Sequence, residues 1–186
     1  KIFFMKKVVF VGSGAIGTAI GNVLARKGVD DITLLSIEEE VVESINNLRY
    51  NLTYFPNVKL SRNLKATTDI NVLRDADVVF MAIPSTAVVG YLISNKEYIN
   101  PKSIIVNLAK GFGKCDSLIP NCLQEQFSNP LMMMKGPSFA REIINRQDTG
   151  FTLACSDNKY FSEVSELFEN TNVRFDFSND ITGVEL

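Results

Sequence analysis

The sequence predicts an α/β fold built on a mostly parallel β-sheet. Two observations support this prediction: short apolar segments alternate with helical patterns along all 186 residues, and a glycine-rich turn follows the first of these segments. Apolar runs of this kind are typical of strands that are buried on both faces, as parallel strands are. Because the sequence contains no internal repeat, low-complexity tract or linker, we expect a single domain over residues 1–186.

The N-terminal residues predict one complete β-α-β unit. Residues 7–11 (KVVFV) and residues 32–35 (ITLL) are apolar runs that predict its two strands. Between them, apolar residues recur at helical spacing over residues 16–24, and Gly28 is a typical end for that helix. A charged helix with an apolar stripe is predicted over residues 38–47. The spacing fits a unit of roughly 30 residues that joins two parallel strands.

The alternation continues to the end of the sequence. Residues 49–60 carry Asn, Tyr and Pro without a clear period, which predicts an irregular connection. Further strands are predicted at residues 64–67, 78–83, 104–108, 131–134, 150–154 and 173–177, and further helices at residues 86–93, 118–127 and 161–168. Strands and helices in this order favour a sheet that is covered by helices on both faces.

Composition narrows the classes of function. A 46% share of hydrophobic residues is enough for one core, and 19 basic against 21 acidic residues leave a net charge of −2. This balance gives no large basic surface, so we expect neither a nucleic acid nor an anionic membrane as a partner. No apolar run reaches membrane-spanning length, so we expect no membrane insertion. The lack of a signal-like start predicts a cytoplasmic protein, with residues 1–4 a tag or leader remnant if Met5 is the natural start.

The titratable residues restrict the chemistry. The sequence has no histidine, which excludes His-based triads and His-ligated metal sites, so we expect no bound metal. Proton transfer must then use Lys, Asp, Glu, Tyr, Cys or water. Cys115, Cys122 and Cys155 are odd in number and form no C-x-x-C pair, which predicts three free thiols in a reducing compartment.

A glycine-rich turn connects the first predicted strand to the first helix. Gly12, Gly14 and Gly17 form the pattern G-x-G-x-x-G. The first glycine permits a tight turn, the second lets the backbone approach a pyrophosphate, and the third allows the helix to pack closely on the strand. The helix that begins near Ala15 and Ile16 offers free N–H groups and a positive dipole end to phosphates. The sequence thus predicts a Rossmann-type, doubly wound dinucleotide-binding domain, with an ordinary glycine-rich turn as the alternative.

The residues after the second predicted strand bear on the choice of cofactor. An acidic residue there binds the ribose 2′-hydroxyl of NAD, whereas an arginine accepts the 2′-phosphate of NADP. Residues 35–40 read LSIEEE and include no arginine. Glu38 is the candidate for the ribose, and the solvated first turn of a helix is its alternative role. Both NAD and NADP remain open, and the three glutamates favour NAD.

Several segments resemble one family, the NAD(P)-dependent glycerol-3-phosphate dehydrogenases. The glycine-rich turn and the Thr-Ala after it resemble the family's nucleotide loop, and four later segments resemble its motifs in the same order. These segments are IPS at residues 83–85, KG at 110–111, GPSFARE at 136–142 and DITGVEL at 180–186. The KG and GPSFARE segments argue against another dehydrogenase of the same superfamily, such as a ketopantoate or 6-phosphogluconate reductase type.

The resemblance implies roles for residues that follow predicted strands, where ligands of open α/β sheets bind. Pro84 and Ala140 are implied to contact the cofactor, Ala140 near the nicotinamide. Lys110 is implied to bind cofactor and substrate, since its ammonium offers a positive charge to a substrate phosphate or developing alkoxide. Gly136 and Ser138 are implied to supply donors to the substrate. The implied reaction reversibly reduces dihydroxyacetone phosphate with NAD(P)H to sn-glycerol 3-phosphate, a glycerophospholipid precursor.

The resemblance also implies residues that this sequence lacks. In the family, Gly-Val-Glu-Leu leads into a Gly-Ala-x-Lys-Asn segment and a helical second domain, and that later lysine is the principal proton donor and acceptor. The sequence ends at Leu186, so we expect a cofactor half that is catalytically incomplete, with exposed apolar surface and a homodimer as consequences. The alternative is a binding module that holds a dinucleotide and turns over no substrate.

Overall fold

The computed structural model describes residues 6–29, 31–110, 118–123, 127–137 and 139–185. The strands of this part of the chain are β1 Lys7–Val11, β2 Asp31–Leu35, β3 Leu64–Thr67, β4 Val78–Met81, β5 Ile104–Asn107, β6 Leu131–Lys135, β7 Thr149–Ala154 and β8 Val173–Ser178. They form one sheet in the order β3-β2-β1-β4-β5-β6-β7-β8.

The strand order changes direction between β1 and β4. β2 and β3 lie on one side of β1, while β4, β5 and β6 continue on the other side, all in parallel. This order is that of the Rossmann fold, in which ligands bind at the carboxyl ends of the strands beside the change of direction. β7 runs antiparallel to β6, and β8 runs parallel to β7. The predicted α/β fold with a mostly parallel sheet is therefore confirmed.

Helices separate most of the strands. They are α1 Ala15–Lys27, α2 Glu39–Glu43, α3 Ser85–Ser94, α4 Ile119–Leu123, α5 Ala140–Ile144, α6 Asn158–Ser165 and α7 Ile181–Glu185. α2 continues into a π-helical turn at Ser44–Leu48, and 3₁₀ turns cover Ile70–Asp75, Lys96–Tyr98 and Glu166–Phe168. The sequence pattern does not predict α5 or α7, because these 5-residue helices stand outside any longer stretch with a helical period, whereas α2 and α4 lie within such stretches.

The two ends of α1 differ in how their backbone groups are satisfied. At the C-terminal end, Gly28 adopts a left-handed φ of 94° and donates its N–H to the carbonyl of Leu24. Arg26 and Lys27 lie in the last turn, where cations complement the helix dipole. No acidic side chain lies in the first turn, and Gly14 supplies no side-chain cap. The N-terminal end of α1 therefore has N–H groups that are available to an anion from outside the helix.

Both faces of the sheet are buried. Val8 and Phe10 of β1 belong to one apolar cluster, and Val9 and Val11 belong to the other. The Phe10 ring stacks on the Phe80 ring of β4, with centroids 4.6 Å apart. Burial on both faces is the physical reason why β1 and β4 read as continuous apolar runs rather than as alternating ones.

The prediction for the cysteines is only partly correct. Cys155 is a free, buried thiol that donates to the carbonyl oxygen of Asp157 at 3.2 Å. Burial raises the pKa of this thiol. Cys122 is disulfide-bonded, so the prediction of three free thiols is wrong for this residue. Cysteine number and spacing do not reveal which residues approach one another in space. Cys115 lies outside the described residues.

Candidate functional site

Two glycines of the turn after β1 are required by the packing of the protein itself. Gly12 adopts a φ of 107°, and a Cβ on it would lie 2.6 Å from the carbonyl oxygen of Ala82, after β4. A Cβ on Gly17 would overlap the carbonyl oxygen of Gly12. These glycines therefore allow the turn and the first turn of α1 to pack against each other and against the end of β4.

The middle glycine differs from its neighbours. The nearest atoms to a Cβ on Gly14 would be those of the Tyr54 ring, at 3.9 Å, so the fold leaves room for a side chain there. Gly14 precedes α1 directly, beside the uncapped N–H groups of that helix. An open glycine backbone at a helix N-terminus is the arrangement that accepts a pyrophosphate.

A buried hydrogen-bond network supports the turn. The Ser13 hydroxyl donates to the Ser36 hydroxyl at 2.7 Å and so joins the turn to the end of β2. The Thr18 hydroxyl donates to the Ser13 carbonyl at 3.0 Å. The amide of Asn51, which is fully buried, donates to the Ser13 carbonyl at 2.8 Å and to the Thr18 hydroxyl at 2.9 Å. The conformation of the turn is therefore set by three separate segments of the chain.

The sequence predicts only an irregular connection where Asn51 and Tyr54 lie. Asn51 accepts the N–H of Tyr54 through its side chain at 3.3 Å and the N–H of Phe55 through its carbonyl at 2.7 Å. These bonds form a local turn that holds the Tyr54 ring beside Gly14. Asn is common in turns, so the sequence does indicate a local turn at this position. The bond from Asn51 to Ser13, however, joins residues 38 positions apart, and no local pattern predicts it.

A cavity of about 400 Å³ opens beside the turn, at the carboxyl ends of β4 and β5. Its walls come from the start of α1, from the residues after β4 and β5, and from the start of α5. Most of these walls are apolar, and Lys110 brings a cation to them. The cavity brings together five residues that the sequence predicts for a cofactor site: Ala15, Ile16, Pro84, Lys110 and Ala140.

Apart from the three glycines of the turn, the sequence predicts Glu38, Gly136 and Ser138, and the first two do not line this cavity. Glu38 is exposed at the N-terminus of α2, and its N–H donates to the Ser36 hydroxyl at 3.1 Å. A Cβ on Gly136 would lie 2.6 Å from the carbonyl oxygen of Gly150, so this glycine is required for packing against β7. Ser138 lies outside the described residues. The ligand roles of these three residues stay predictions.

Within the described ranges, neither a metal-binding cluster nor a membrane-spanning helix is found. No group of three or more Asp, Glu, Cys or His side chains is placed to hold a metal ion. No helix there is long and apolar enough to cross a bilayer.

The chain matches a family model. The model describes the N-terminus of NAD-dependent glycerol-3-phosphate dehydrogenase, and it matches residues 7–161. The chain belongs to this family. The match covers the glycine-rich turn, the cavity and the sheet through β7, which are the parts that form the candidate site.

Relatives support the assignment to the glycerol-3-phosphate dehydrogenase family. The chain is 36% identical over 186 residues to glycerol-3-phosphate dehydrogenase [NAD(P)+] of Leptospira biflexa, covering 97% of this chain and 56% of that protein. It is 34% identical over 189 residues to the Bacillus subtilis protein of the same name, covering 98% of this chain and 54% of that protein. The chain thus spans about half the length of these relatives.

A solved glycerol-3-phosphate dehydrogenase shares the same fold. The crystal structure of the Coxiella burnetii enzyme superposes with a TM-score of 0.90 at 28% identity, covering 98% of this chain and 57% of that one. The resemblance that the sequence motifs indicate is therefore confirmed at the level of family and fold.

Proposed function

We propose that this chain binds NAD(H) and forms the cofactor half of a glycerol-3-phosphate dehydrogenase. The observation that supports this most directly is Gly14, a glycine that the fold itself does not need, at the open N-terminus of α1. A pyrophosphate in that position accepts backbone N–H donors without meeting a side chain. A bound nicotinamide supplies the hydride chemistry, and the protein orients and polarises the reactants.

The apolar walls of the cavity suit the nicotinamide ring. Ala15, Ile16, Pro84 and Ala140 give it flat, uncharged surface next to the glycine-rich turn. These residues would hold the ring against an apolar wall and would keep water from that side of it, which would favour transfer of a hydride over reaction with solvent. Tyr54, beside Gly14, covers the phosphate end of the same site.

Lys110 carries the charge that the substrate requires. In the whole protein we propose that its ammonium binds dihydroxyacetone phosphate or sn-glycerol 3-phosphate at the mouth of the cavity. A positive charge there stabilises the alkoxide that develops when the substrate carbonyl accepts a hydride. The resemblance implies that the principal proton donor is a lysine beyond residue 186, with Gly136 and Ser138 as further substrate contacts. A cytoplasmic location and a homodimer also stay predictions.

The end of β2 favours NAD over NADP. Ser36 is 4% exposed and already bonded to Ser13, whereas Glu38 is exposed at the start of α2, where it would be available to a ribose hydroxyl. No ion pair to Glu38, Glu39 or Glu40 is formed within the described part of the chain. Three uncompensated carboxylates would repel a 2′-phosphate.

Titration of the chain with NADH and NADPH tests the proposal. Because the sequence contains no tryptophan, nicotinamide fluorescence can be followed without interference from that residue. We expect saturable binding of NADH and weaker binding of NADPH. If neither dinucleotide binds to folded protein, the proposed function is wrong.

An activity assay with dihydroxyacetone phosphate separates the two forms of the proposal. We expect the 186-residue chain to bind NADH without oxidising it, and a protein extended to the length of its relatives to turn over. Clear turnover by the shorter chain would show that the residues beyond 186 are not needed. Binding without turnover in the extended protein would favour the alternative of a binding module.

A further inference from the structure

Two side chains bind the backbone that leads from β5 to Lys110, on one wall of the cavity. Leu108 and Ala109, the two residues after β5, are each 7% exposed, and Lys110 follows them as an exposed residue. The Ala109 N–H donates to the side-chain oxygen of Asn107 at 3.1 Å. The Ala109 carbonyl accepts a hydrogen bond from the ammonium of Lys135. Both polar groups of the residue before Lys110 are therefore bound.

Lys135 is the last residue of β6 and is half-buried. It follows three buried methionines, Met132–Met134, and pairs in register with Thr152 of β7. Partial burial of an ammonium costs free energy unless a hydrogen bond compensates for it. The bond to the Ala109 carbonyl provides that compensation, and it is charge-assisted, which makes it stronger than a neutral bond.

We propose that Lys135 is a positioning residue for Lys110. Its ammonium fixes the Ala109 carbonyl, and with Asn107 it sets the backbone from which Lys110 reaches the cavity. The inference rests on the proposed dinucleotide site, because Lys110 lines the cavity proposed for the nicotinamide and would contact the cofactor there as well as the substrate. Without the bond, the residues after β5 lose one of two side-chain anchors, and Lys110 samples positions in which it does not meet the ligand.

A double-mutant cycle on the 186-residue chain tests this inference, with NADH as the probe. The variants are Lys135→Met, which removes the donor and keeps an apolar stem, Lys110→Met, and the two together. We expect each single substitution to weaken NADH binding by roughly 3- to 10-fold. Added to Lys110→Met, Lys135→Met should change the affinity by less than about 1.5-fold, because its effect passes through Lys110.

Two controls separate positioning from folding. Lys135→Arg keeps a charged donor and should retain NADH affinity within roughly 2-fold of the original. Lys65→Met removes a strand lysine whose ammonium lies 3.8 Å from Asp31, away from the cavity, and should leave affinity unchanged. If Lys135→Met lowers the thermal midpoint, the affinities of all variants are compared at a temperature at which each of them is fully folded.

Each result has a defined meaning. Failure of the original chain to bind NADH contradicts the proposed function rather than this inference. Normal binding by Lys135→Met, normal binding by Lys110→Met, or equal effects of Lys135→Met with and without Lys110 would each overturn the positioning role. Loss of affinity with rescue by arginine and strong coupling to Lys110 would establish it.

Discussion

Gly14 and Gly12 are 2 positions apart, but substitution by alanine should affect them in opposite ways. Gly14 has a φ of −68°, which alanine adopts readily, and its Cβ would have no neighbour closer than 3.9 Å. Alanine is a poorer helix N-cap than glycine, at a cost of about 0.5–1 kcal/mol. The loss of unfolded-state entropy offsets this by about 0.4–1 kcal/mol. We expect Gly14→Ala to leave the free energy of unfolding within about 0.5 kcal/mol.

Gly12→Ala should instead destabilise the fold. Its φ of 107° is strained for a residue with a side chain, which costs about 1–3 kcal/mol. Its Cβ would also lie 2.6 Å from the carbonyl oxygen of Ala82, so β4 or the turn would have to move. Together these effects should lower the free energy of unfolding by about 3 kcal/mol or more.

The two variants are compared by urea unfolding and by NADH titration. We expect Gly14→Ala to fold normally and to bind NADH at least about 10-fold more weakly, a loss of about 1.4 kcal/mol, because its methyl group occupies the space for the pyrophosphate. Normal affinity in Gly14→Ala would refute the assignment of this glycine to the phosphate. Normal stability in Gly12→Ala would refute the packing on which the comparison depends.

Two further substitutions test the surroundings of the site, and a third tests the buried thiol that follows β7. Asn51→Leu should lower the free energy of unfolding by about 1–2 kcal/mol in urea, since it removes two buried hydrogen bonds while the Ser13 carbonyl keeps its bond from Thr18, whereas the exposed Asn71→Leu should change it little. Glu38→Arg should raise NADPH affinity relative to NADH by roughly 10-fold in paired titrations, whereas the control Glu43→Arg should leave this ratio unchanged. An unchanged ratio in Glu38→Arg would contradict the proposed contact of Glu38 with the ribose. Burial raises the pKa of the Cys155 thiol above its value in the unfolded chain, so its contribution to stability is present below about pH 8.5 and is lost as the pH rises through the folded-state pKa. Urea unfolding across that range should show a decline that Cys155→Ala removes, and an equal decline in both proteins would contradict this account.

The sequence predicts the parts of this fold that are built from local patterns. β1, the glycine-rich turn and α1 follow each other within residues 7–27. The apolar runs and glycines of this segment predict the same strand, turn and helix that the structure contains. The antiparallel direction of β7 is not predicted, because a buried strand has the same apolar pattern in either direction.

The candidate site is predictable to a similar extent. Ala15 is predicted from the glycine-rich turn, whereas Pro84 and Lys110 are implied by the resemblance of segments that follow predicted strands, and all three line the cavity. Asn51 and Lys135 are not, because their roles depend on bonds to residues 38 and 26 positions away in the chain. A lysine at the end of a strand is ordinarily interpreted as a solvent-exposed residue, whereas Lys135 is half-buried and contacts Ala109.

The buried amide of Asn51 has a consequence for the kinetics and thermodynamics of ligand binding. Because it binds both Ser13 and Thr18, it fixes the backbone of the glycine-rich turn, for which we propose a phosphate-binding role. Association then requires little ordering of this backbone, and less of the interaction free energy is lost as conformational entropy.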